Sequence, residues 1–311
     1  MSPVTFPALL DAISHLPVPR GAQRLFHGRG GLYPGCEQWT LDFYDPVWLL
    51  TSFAAVTADE LATLQAALQA RWSQIAPGQP FHLVFQHRNE VQADTQVLSG
   101  EVPDPHVVEE AGTRFGVHLL RGYNHGLFLD MAEGRAWVRR TLAARPGAKV
   151  LNLFAYTCAF SVVALQAGAA QVINVDMANG PLSMGKRNHQ LNGLAHGASF
   201  WAHDIFNSWG KIGRHGPYDL IILDPPAYQK GSFVAEKDYP RLMRRLPELL
   251  NPSGYALLCL NSPKLGPDFL TQHMATEAPT LAFIGRLPNP PAFADASSER
   301  SLKVLIYQAP A

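Results

Sequence analysis

From about residue 125 onward, short apolar runs alternate with amphipathic segments, and this alternation restricts the possible folds more than any other feature of the chain. Apolar runs typical of strands are predicted at 149–154, 171–176, 198–201, 218–223, 254–260, 281–287 and 301–308. Helical patterns fill most of the gaps, at 131–144, 160–168, 181–191, 205–212, 239–250 and 268–276. Alternating strands and helices require an α/β fold with a doubly wound, seven-stranded, mostly parallel sheet. The last two strands lack a helix between them, so they are predicted to pair as a hairpin.

The first part of the chain has a different pattern. Short alternating runs at 24–27, 38–43, 47–53 and 81–87 are separated by Gly, Pro and Asp and predict a small antiparallel sheet. Thr57 and Glu60 form the start signal of one amphipathic helix. We therefore predict a small N-terminal α+β domain over residues 1–120, with possible substrate recognition, and a second domain over 121–311.

Composition excludes several classes of protein. The chain is 47% hydrophobic, with 25 basic and 25 acidic residues, which excludes a disordered or fibrous protein and argues against extensive coating of nucleic acid. No apolar run approaches the roughly 20 residues needed to span a bilayer, and the first residues do not resemble a secretion signal. These features predict a cytoplasmic protein with no membrane partner. They leave its oligomeric state open.

The cysteines and histidines do not suggest a metal site. Cys36, Cys158 and Cys259 are too widely spaced for a C-x-x-C site or a disulfide framework. None of the 12 histidines belongs to an H-E-x-x-H motif. We predict no metal cofactor.

Residues 150–164 form a predicted strand, tight turn and helix N-terminus, the junction at which open α/β sheets bind ligands. The glycine fingerprint G-x-G-x-x-G is missing, and residues 155–159 (A-Y-T-C-A) occupy its place. A pyrophosphate needs those glycines for close approach of the backbone, so a ligand without phosphates is favoured over a nicotinamide cofactor.

Acidic residues follow the next two predicted strands. Asp176 ends the second strand, where a carboxylate can accept hydrogen bonds from both hydroxyls of a ribose. Asp204 follows the third strand and can accept from the exocyclic amine of adenine, although an ordinary helix N-cap explains it equally well. Together they outline a nucleoside pocket.

The fourth strand is followed by Asp224-Pro-Pro-Ala-Tyr228. The two prolines fix φ and remove two N–H donors, so their carbonyls can accept hydrogen bonds from a flat, amine-bearing group on which an aromatic ring can stack. A loop that merely ends a strand is the alternative. The position of this loop beside the first strand favours a ligand-binding site.

The motifs V-L-N-L-F-A-Y-T-C-A-F-S, V-I-N-V-D, H-D-I-F, D-L-I-I-L-D-P-P-A-Y-Q-K-G-S-F and G-Y-A-L-L-C-L-N-S, in this order, resemble the class I S-adenosylmethionine-dependent methyltransferases. The similarity covers about residues 20–308 and is greatest to bacterial large-subunit ribosomal-RNA methyltransferases that modify cytosine C5 or guanine N7. It implies a Rossmann-like methyltransferase with S-adenosyl-L-methionine as cofactor and RNA, specifically rRNA, as partner. We expect the chain to lack the RNA-binding module that precedes the central domain of the cytosine enzymes.

The resemblance also implies roles for individual residues. The methionine part of the cofactor would be surrounded by Asn152, Phe154, Tyr156, Thr157, Cys158 and Ala159, with Cys158-Ala159 in place of the usual glycine pair. Asp176 would bind the ribose, Asp204 the adenine amine, and Asp224 with Pro225 would form the reaction centre. The segment with Phe128, Asp130 and Arg135 resembles the stretch that closes over the cofactor.

Cytosine C5 becomes nucleophilic only after a thiolate adds at C6, so C5 methylation needs a cysteine at the sheet edge. The cytosine enzymes carry one after the fifth strand, where this chain reads Leu260-Asn-Ser-Pro-Lys264 and Ser262 is the nearest match. A base nitrogen needs only an aligned lone pair. We therefore predict nitrogen methylation without a covalent intermediate, supported by Asp224, the Pro225 carbonyl, Tyr228 and Asn261.

Basic residues near this loop suggest a phosphate-binding face, although such clusters are usually solvated helix surfaces. They are Lys230, Lys237, Arg241, Arg244 and Arg245, with Arg139, Arg140 and Arg145 before the first strand. RNA is favoured over a protein or small-molecule substrate. A non-catalytic, cofactor-binding RNA assembly factor remains an alternative, and an oxidoreductase is disfavoured.

Overall fold

A computed structural model describes residues 6–89, 93–226, 228–229 and 233–311, with only the backbone described for 228–229. The chain forms two compact units. The first contains Met1–Leu129 together with Pro290–Ala296, and the second contains Asp130–Asn289 and Ser297–Ala311. The boundary between the units thus lies nine residues beyond the boundary expected from the sequence. In addition, a short segment from the C-terminal part belongs to the first unit.

Over its described residues, the first unit is a five-stranded sheet with two α-helices and an additional hairpin. Its elements are α1 (Pro7–His15), β1 (Ala22–His27), β2 (Trp39–Tyr44), β3 (Val47–Ser52), α2 (Ala58–Ile75), β4 (His82–Arg88), β5 (Ala93–Ser99), β6 (His106–Glu110) and β7 (Thr113–Val117). The main sheet has the strand order β1-β2-β3-β4-β5, and β6 pairs with β7.

The prediction of a purely antiparallel N-terminal sheet is wrong, because β3 and β4 are parallel. The connection between them contains α2, and a helical crossover of this length is what a parallel pair requires. Helix α2 begins as expected: the Thr57 side chain accepts from Glu60 N, and Glu60 Oε2 accepts from Thr57 N at 2.9 Å. Its buried residues Leu64, Leu68 and Trp72 pack on one face of the sheet.

The second unit contains the remaining regular elements. They are α3 (Ala132–Ala143), β8 (Lys149–Leu153), α4 (Ala159–Gln166), β9 (Gln171–Asp176), α5 (Asn179–Leu191), β10 (Ala198–Ala202), α6 (Trp209–His215), β11 (Tyr218–Leu223), β12 (Tyr228–Gln229), β13 (Phe233–Val234), α7 (Ala235–Met243), α8 (Leu246–Leu249), β14 (Leu250–Leu260), α9 (Pro267–Glu277), β15 (Ala282–Arg286) and β16 (Lys303–Gln308).

The seven-stranded sheet of this unit has the order β10-β9-β8-β11-β14-β16-β15. Strands β10, β9, β8, β11 and β14 are parallel, whereas β16 is antiparallel to β14 and to β15. The pairing of β15 with β16 confirms the expected hairpin. The α/β fold class with a doubly wound, mostly parallel sheet is confirmed.

Two predicted helices differ from the structure. The helix expected at 205–212 starts only at Trp209, because the Asp204 carboxylate closes a turn by accepting from Phe206 N at 2.8 Å. The helix expected at 239–250 is divided into α7 and α8. Pro247 explains the break, since proline lacks the N–H of a continuing helix and disfavours helical backbone before it.

Within the described residues, no helix combines the length and apolar character needed to cross a membrane.

Candidate active site

The carboxyl ends of β8, β11 and β14 lie side by side. Leu153 is paired with Leu223, and Leu223 with Leu258, so the loops that begin at Phe154 and Asp224 leave adjacent strands at the same level. On the other side, β9 ends at Asp176 beside Ala202 of β10. Parallel strands lie about 4.8 Å apart, which places Asp176 and Asp224 about 10 Å from each other along this edge. The sequence-predicted site residues after these strands therefore share one edge of the sheet.

The loop after β8 has an alternating left-handed backbone. Phe154, Tyr156 and Cys158 have φ values of 58°, 46° and 59°, a region that non-glycine residues seldom adopt. Such strained residues cluster at ligand sites. The loop thus adopts glycine-like conformations without glycine, and the absence of a glycine fingerprint does not prevent a tight turn here.

Neighbouring strands hold this loop in place. Ala155 N donates to Val175 O at 3.1 Å, and Tyr156 N donates to the Asp176 carboxylate at 2.9 Å. The other carboxylate oxygen of Asp176 accepts from Ala178 N at 2.9 Å. Asp176 thereby couples the turn after β8 to the turn after β9.

A buried polar chain lies beneath the loop. Asn152 Nδ2 donates to Asn174 Oδ1 at 2.9 Å, and Asn174 Nδ2 donates to Ser161 Oγ at 3.0 Å. Ser161 is 2.9 Å from His189 Nε2, and burial lowers the pKa of His189, which favours the neutral ring. Asn152 is only 1% exposed. Its predicted place beside the methionine part of the cofactor stays a prediction.

Thr157 and Cys158 are also interior. Asn188 Nδ2 donates to Thr157 O at 3.0 Å. The thiol of Cys158 packs against Gly185 of α5, where an added Cβ would lie 2.5 Å from Sγ. A side chain at 185 would displace the turn, so Gly185 is a site-shaping residue that the sequence analysis missed. Phe154, Tyr156 and Ala159 are partly exposed at the edge.

The Asp204 carboxylate is engaged within its own turn. Its oxygens accept from Phe206 N at 2.8 Å and from Asn207 Nδ2 at 2.7 Å. It is not the N-cap of α6, since Ser208 occupies that position. Asp204 remains partly exposed next to the end of β10, and its role toward adenine stays a prediction.

Asp224 is the most chemically distinctive group of the edge. Burial, together with the negative charge of Asp130, raises the pKa of Asp224 to about 7, and the positive charge of Arg135 opposes this shift. Arg135 is itself 3% exposed, whereas Asp224 keeps partial contact with solvent. The predicted site residues Asp130, Arg135 and Asp224 therefore lie close enough to influence one another's charge. A carboxyl group with this pKa can hold or release a proton near neutral pH.

All three cysteines of the chain are buried. Burial raises the pKa of Cys158 and of Cys259, and the negative charges of Asp176 and Asp224 respectively act in the same direction. Cys259 lies inside β14, and its carbonyl accepts from the Tyr239 hydroxyl. No thiol of this chain is placed to act as an exposed, activated nucleophile.

The turn after β14 is tied to the last strand. Asn261 is exposed, and Ser262 is 6% exposed with its Oγ accepting from Lys264 N at 3.3 Å. Lys303, which is fully buried and lies opposite Leu260, donates from Nζ to Ser262 O and to Glu299 O. Lys303 was missed from the sequence, although a lysine within the apolar run of β16 is a signal for such a role.

Some predicted residues cannot be placed in the site. Ala227 and Lys230 lie outside the described residues. Tyr228 is described only as backbone in β12, paired with Val234. Phe128 is 40% exposed and belongs to the first unit.

The basic face proposed around α7 is largely neutralised. Arg241 pairs with Asp238 at 2.8 Å, Arg244 with Glu277 at 2.7 Å, and Arg245 with Glu248 at 2.7 Å. Lys237 is exposed. On α3 and after it, Arg145 donates to Ser253 O, and Arg139 and Arg140 lie at the surface of the unit. Arg241, Arg244 and Arg245 therefore match an ordinary ion-paired surface better than a phosphate-binding one.

The edge fits an S-adenosylmethionine molecule. Each Asp176 oxygen accepts one N–H, and a carboxylate has about four acceptor positions, so both oxygens keep capacity for ribose hydroxyls. The first N–H groups of α4, next to the strained turn, lack intrahelical partners and suit the methionine carboxylate. Phe154, packed edge-to-face on Phe233 at 5.2 Å, supplies an apolar wall.

Among the described residues, no group of three His, Cys, Asp or Glu side chains is arranged to hold a metal ion.

Comparison with known proteins agrees with this assignment. The chain is 32% identical over 246 residues to ribosomal RNA large subunit methyltransferase I of Tolumonas auensis, covering 76% of this chain and 60% of that protein. It is 36% identical over 183 residues to methyltransferase K/L of a Psychrobacter species, covering 56% of this chain and 22% of that protein. The chain thus spans less than two thirds of the length of these relatives.

The solved structure of SMU.776 complexed with SAH shares the fold, with a TM-score of 0.81 and 24% identity over 97% of this chain and 81% of that one. The family model of S-adenosylmethionine-dependent methyltransferases matches residues 23–308. The chain therefore belongs to the S-adenosylmethionine-dependent methyltransferase family.

Proposed function

We propose that the protein transfers a methyl group from S-adenosylmethionine to a base nitrogen in RNA, without a covalent cysteine intermediate. The observation that carries this proposal is the combination at one sheet edge of Asp224, whose pKa is raised to about 7, with cysteines that are all buried. The edge thus offers a proton acceptor and no thiolate.

Bound S-adenosylmethionine supplies an electrophilic methyl group. The lone pair of the base nitrogen forms the new N–C bond as the methyl–sulfur bond breaks, with that electron pair left on sulfur. The acceptor nitrogen is one that carries hydrogen, such as an exocyclic amine or a ring N–H, and Asp224 in its ionised form accepts the proton that this nitrogen loses. The exposed Asn261 is available to orient the base. Burial and the charge of Asp130 disfavour the ionised form of Asp224 and Arg135 favours it, and together they set the pKa near neutral pH.

The names of the relatives support RNA as the substrate. Those compared above are called ribosomal RNA large subunit methyltransferases. A base nitrogen is preferred over cytosine C5 because carbon methylation would need a thiolate at the edge, and Ser262 stands closest to the position of the required cysteine.

Cys158→Ala and Cys259→Ala are expected to keep turnover within about threefold of the wild type, since neither thiol takes part in the transfer and each change removes only one buried atom. Initial rates at saturating S-adenosylmethionine test this, with thermal unfolding as the control for folding. Loss of turnover in Cys259→Ala with folding and cofactor binding intact would contradict the nitrogen mechanism.

The proposed activity is tested by incubating the protein with radiolabelled S-adenosylmethionine and either total RNA or total protein from cells that lack the gene. We expect label in large-subunit rRNA and none above background in protein. Binding of S-adenosylmethionine without transfer to RNA or protein would instead favour a non-catalytic assembly factor. Transfer to protein alone would make RNA the wrong substrate.

A further inference from the structure

One row of residues across the sheet in the first unit is polar. His27, Thr40, Thr51, Gln86 and Thr95 lie opposite one another across the five strands. Directly opposed residues point to the same side of a sheet, so they form a continuous polar row. The alternate residues, including Leu41, Phe43, Trp48 and Leu50, belong to the apolar core with α1 and α2. The polar row therefore lies on the face turned away from the two helices, where Thr40, Thr51 and Gln86 are themselves buried.

Three arginines cluster at this face. Arg24 forms a bidentate pair with Asp42, at 2.7 and 2.9 Å. Arg88, two residues along β4 from Gln86, donates to Gln86 Oε1 at 2.5 Å and to His125 Nε2 at 3.0 Å. The guanidinium of Arg29 lies 3.9 Å from the centroid of the Phe53 ring.

The two side chains that accept hydrogen bonds from Arg88, Gln86 and His125, are neutral at pH 7. Burial and the charge of Arg88 lower the pKa of His125 to about 4, so this ring is neutral at pH 7. Because a guanidinium only donates hydrogen bonds, Nε2 must be the acceptor, and Nδ1 donates to His118 O at 3.2 Å. Arg24 pairs with the Asp42 carboxylate, and the negative charge of Asp42 also favours the charged form of Arg88, whose pKa burial lowers.

Arg29 and Arg88 both lie near the Phe53 ring, and Arg88 also lies near the Tyr123 ring. Arg88 lies 5.7 Å from the centroid of Phe53 and 5.9 Å from that of Tyr123, which is 37% exposed. Flat cations beside aromatic rings are the combination with which proteins bind single-stranded nucleic acids, since the cations contact phosphates and the rings stack on bases. A site for a small inorganic anion would not need the rings.

The turn that carries Arg29 is held rigidly. An added Cβ at Gly28 would lie 1.8 Å from Cys36 O, and one at Gly30 would lie 2.3 Å from Ala294 O. Ala296 N also donates to Gly30 O at 2.7 Å. The backbone on both sides of Arg29 is therefore packed, while the Arg29 side chain itself is exposed.

We propose that Arg29, Arg88, Phe53 and Tyr123, here called the arginine–aromatic cluster, bind a single-stranded segment of the RNA substrate, with phosphates on the guanidiniums and bases on the rings. This inference rests on the proposed function, and it names the surface through which the first unit recognises the substrate.

The test measures binding of a fluorescein-labelled oligouridylate, about 20 nucleotides long so that it exceeds a single-strand site of roughly 4–16 nucleotides, to the full chain over a range of salt concentrations. Each phosphate contact contributes about 0.7 to the slope of log affinity against log salt. Arg29→Gln and Arg88→Gln are each expected to reduce the slope by about 0.7, and the double variant by about 1.4. Arg29→Lys keeps the charge and is expected to keep the slope.

Arg20→Gln is the matched control, because Arg20 is exposed in the same unit but precedes β1, at the opposite end of that strand from Arg29. It removes the same charge and should leave the slope unchanged. Thermal unfolding and calorimetric binding of S-adenosylmethionine show whether each variant is folded. If Arg88→Gln does not fold, the comparison of Arg29→Gln with Arg29→Lys still tests the inference.

The outcomes separate the inference from the proposed function. If the wild type methylates RNA and the two glutamine variants keep its salt slope, the arginine–aromatic cluster is not the contact surface, although the function stands. If Arg20→Gln lowers the slope as much as the other variants do, the slope reports the overall charge of the protein rather than contacts at the cluster. The inference is then again overturned. If the wild type transfers methyl groups to no RNA, the proposed function fails, whatever the slopes.

Discussion

Asp224→Ala is expected to lower methyl transfer by about 10²–10⁴-fold, the usual contribution of a positioned proton acceptor, while S-adenosylmethionine still binds within a few-fold of wild-type affinity. The reason is the position of Asp224 at the end of β11, in an environment that raises its pKa to about 7. Single-turnover rates and calorimetric titration with the cofactor measure the two quantities separately.

The same group gives the reaction a characteristic pH dependence. Because the pKa of Asp224 is raised to about 7 and its ionised form is the acceptor, activity should rise about tenfold per pH unit below pH 7 and level off above it. Asp224→Asn is expected to abolish this rise along with most of the activity. Asp268→Asn, a change at an exposed carboxylate in the first turn of α9, is the matched control and should preserve the profile.

A wild-type profile that stays flat from pH 5.5 to 8.5 would show that Asp224 does not act as the proton acceptor. So would an Asp224→Asn variant with nearly full activity. If Asp224→Ala lost cofactor binding as well as transfer, its role would be in holding the cofactor rather than in the chemical step.

Asp176→Ala is expected to weaken S-adenosylmethionine binding by about 10- to 100-fold, the size of effect that follows from losing hydrogen bonds to a charged group. Two contributions add: the ribose loses its acceptor, and the loop after β8 loses the bond from Tyr156 N to the carboxylate. The rate of methyl transfer at saturating S-adenosylmethionine should change much less than the affinity for S-adenosylmethionine. Equilibrium titration with S-adenosylhomocysteine measures the effect without turnover.

Asp176→Asn distinguishes the two contributions, since an amide oxygen can still accept from Tyr156 N. It should fall between the wild type and Asp176→Ala. Unchanged affinity in Asp176→Ala, with the protein folded, would place the ribose elsewhere. Loss of thermal stability parallel to the loss of affinity would show that the carboxylate acts mainly on the turn.

The order of strands and helices in the second unit could be predicted from sequence, because each buried strand is a short apolar run and each helix has its own periodicity. The positions of Asp176 and Asp224 followed from that order, since the carboxyl ends of parallel strands meet at one edge. Pairing directions were harder. The parallel pairing of β3 with β4 depends on how α2 crosses the sheet, and a local pattern does not contain that information.

The remaining features depend on contacts between residues distant in sequence. The inward position of Asn152 is set by Asn174 and Ser161, and the burial of Lys303 by the turn after β14. The neutral state of His125 depends on its burial next to Arg88, and only the folded first unit brings these two residues together. Strained backbone at Phe154 and Tyr156 is likewise a property of the packed turn.

The most direct test of the proposed function is to identify the modified nucleoside. Large-subunit rRNA from cells lacking the gene is incubated with the protein and S-adenosylmethionine carrying a deuterated methyl group, then digested to nucleosides and analysed by mass spectrometry against standards. The structure leads us to expect the label in a nucleoside methylated on a base nitrogen. Label in 5-methylcytidine would contradict the account, and so would the absence of label from every nucleoside.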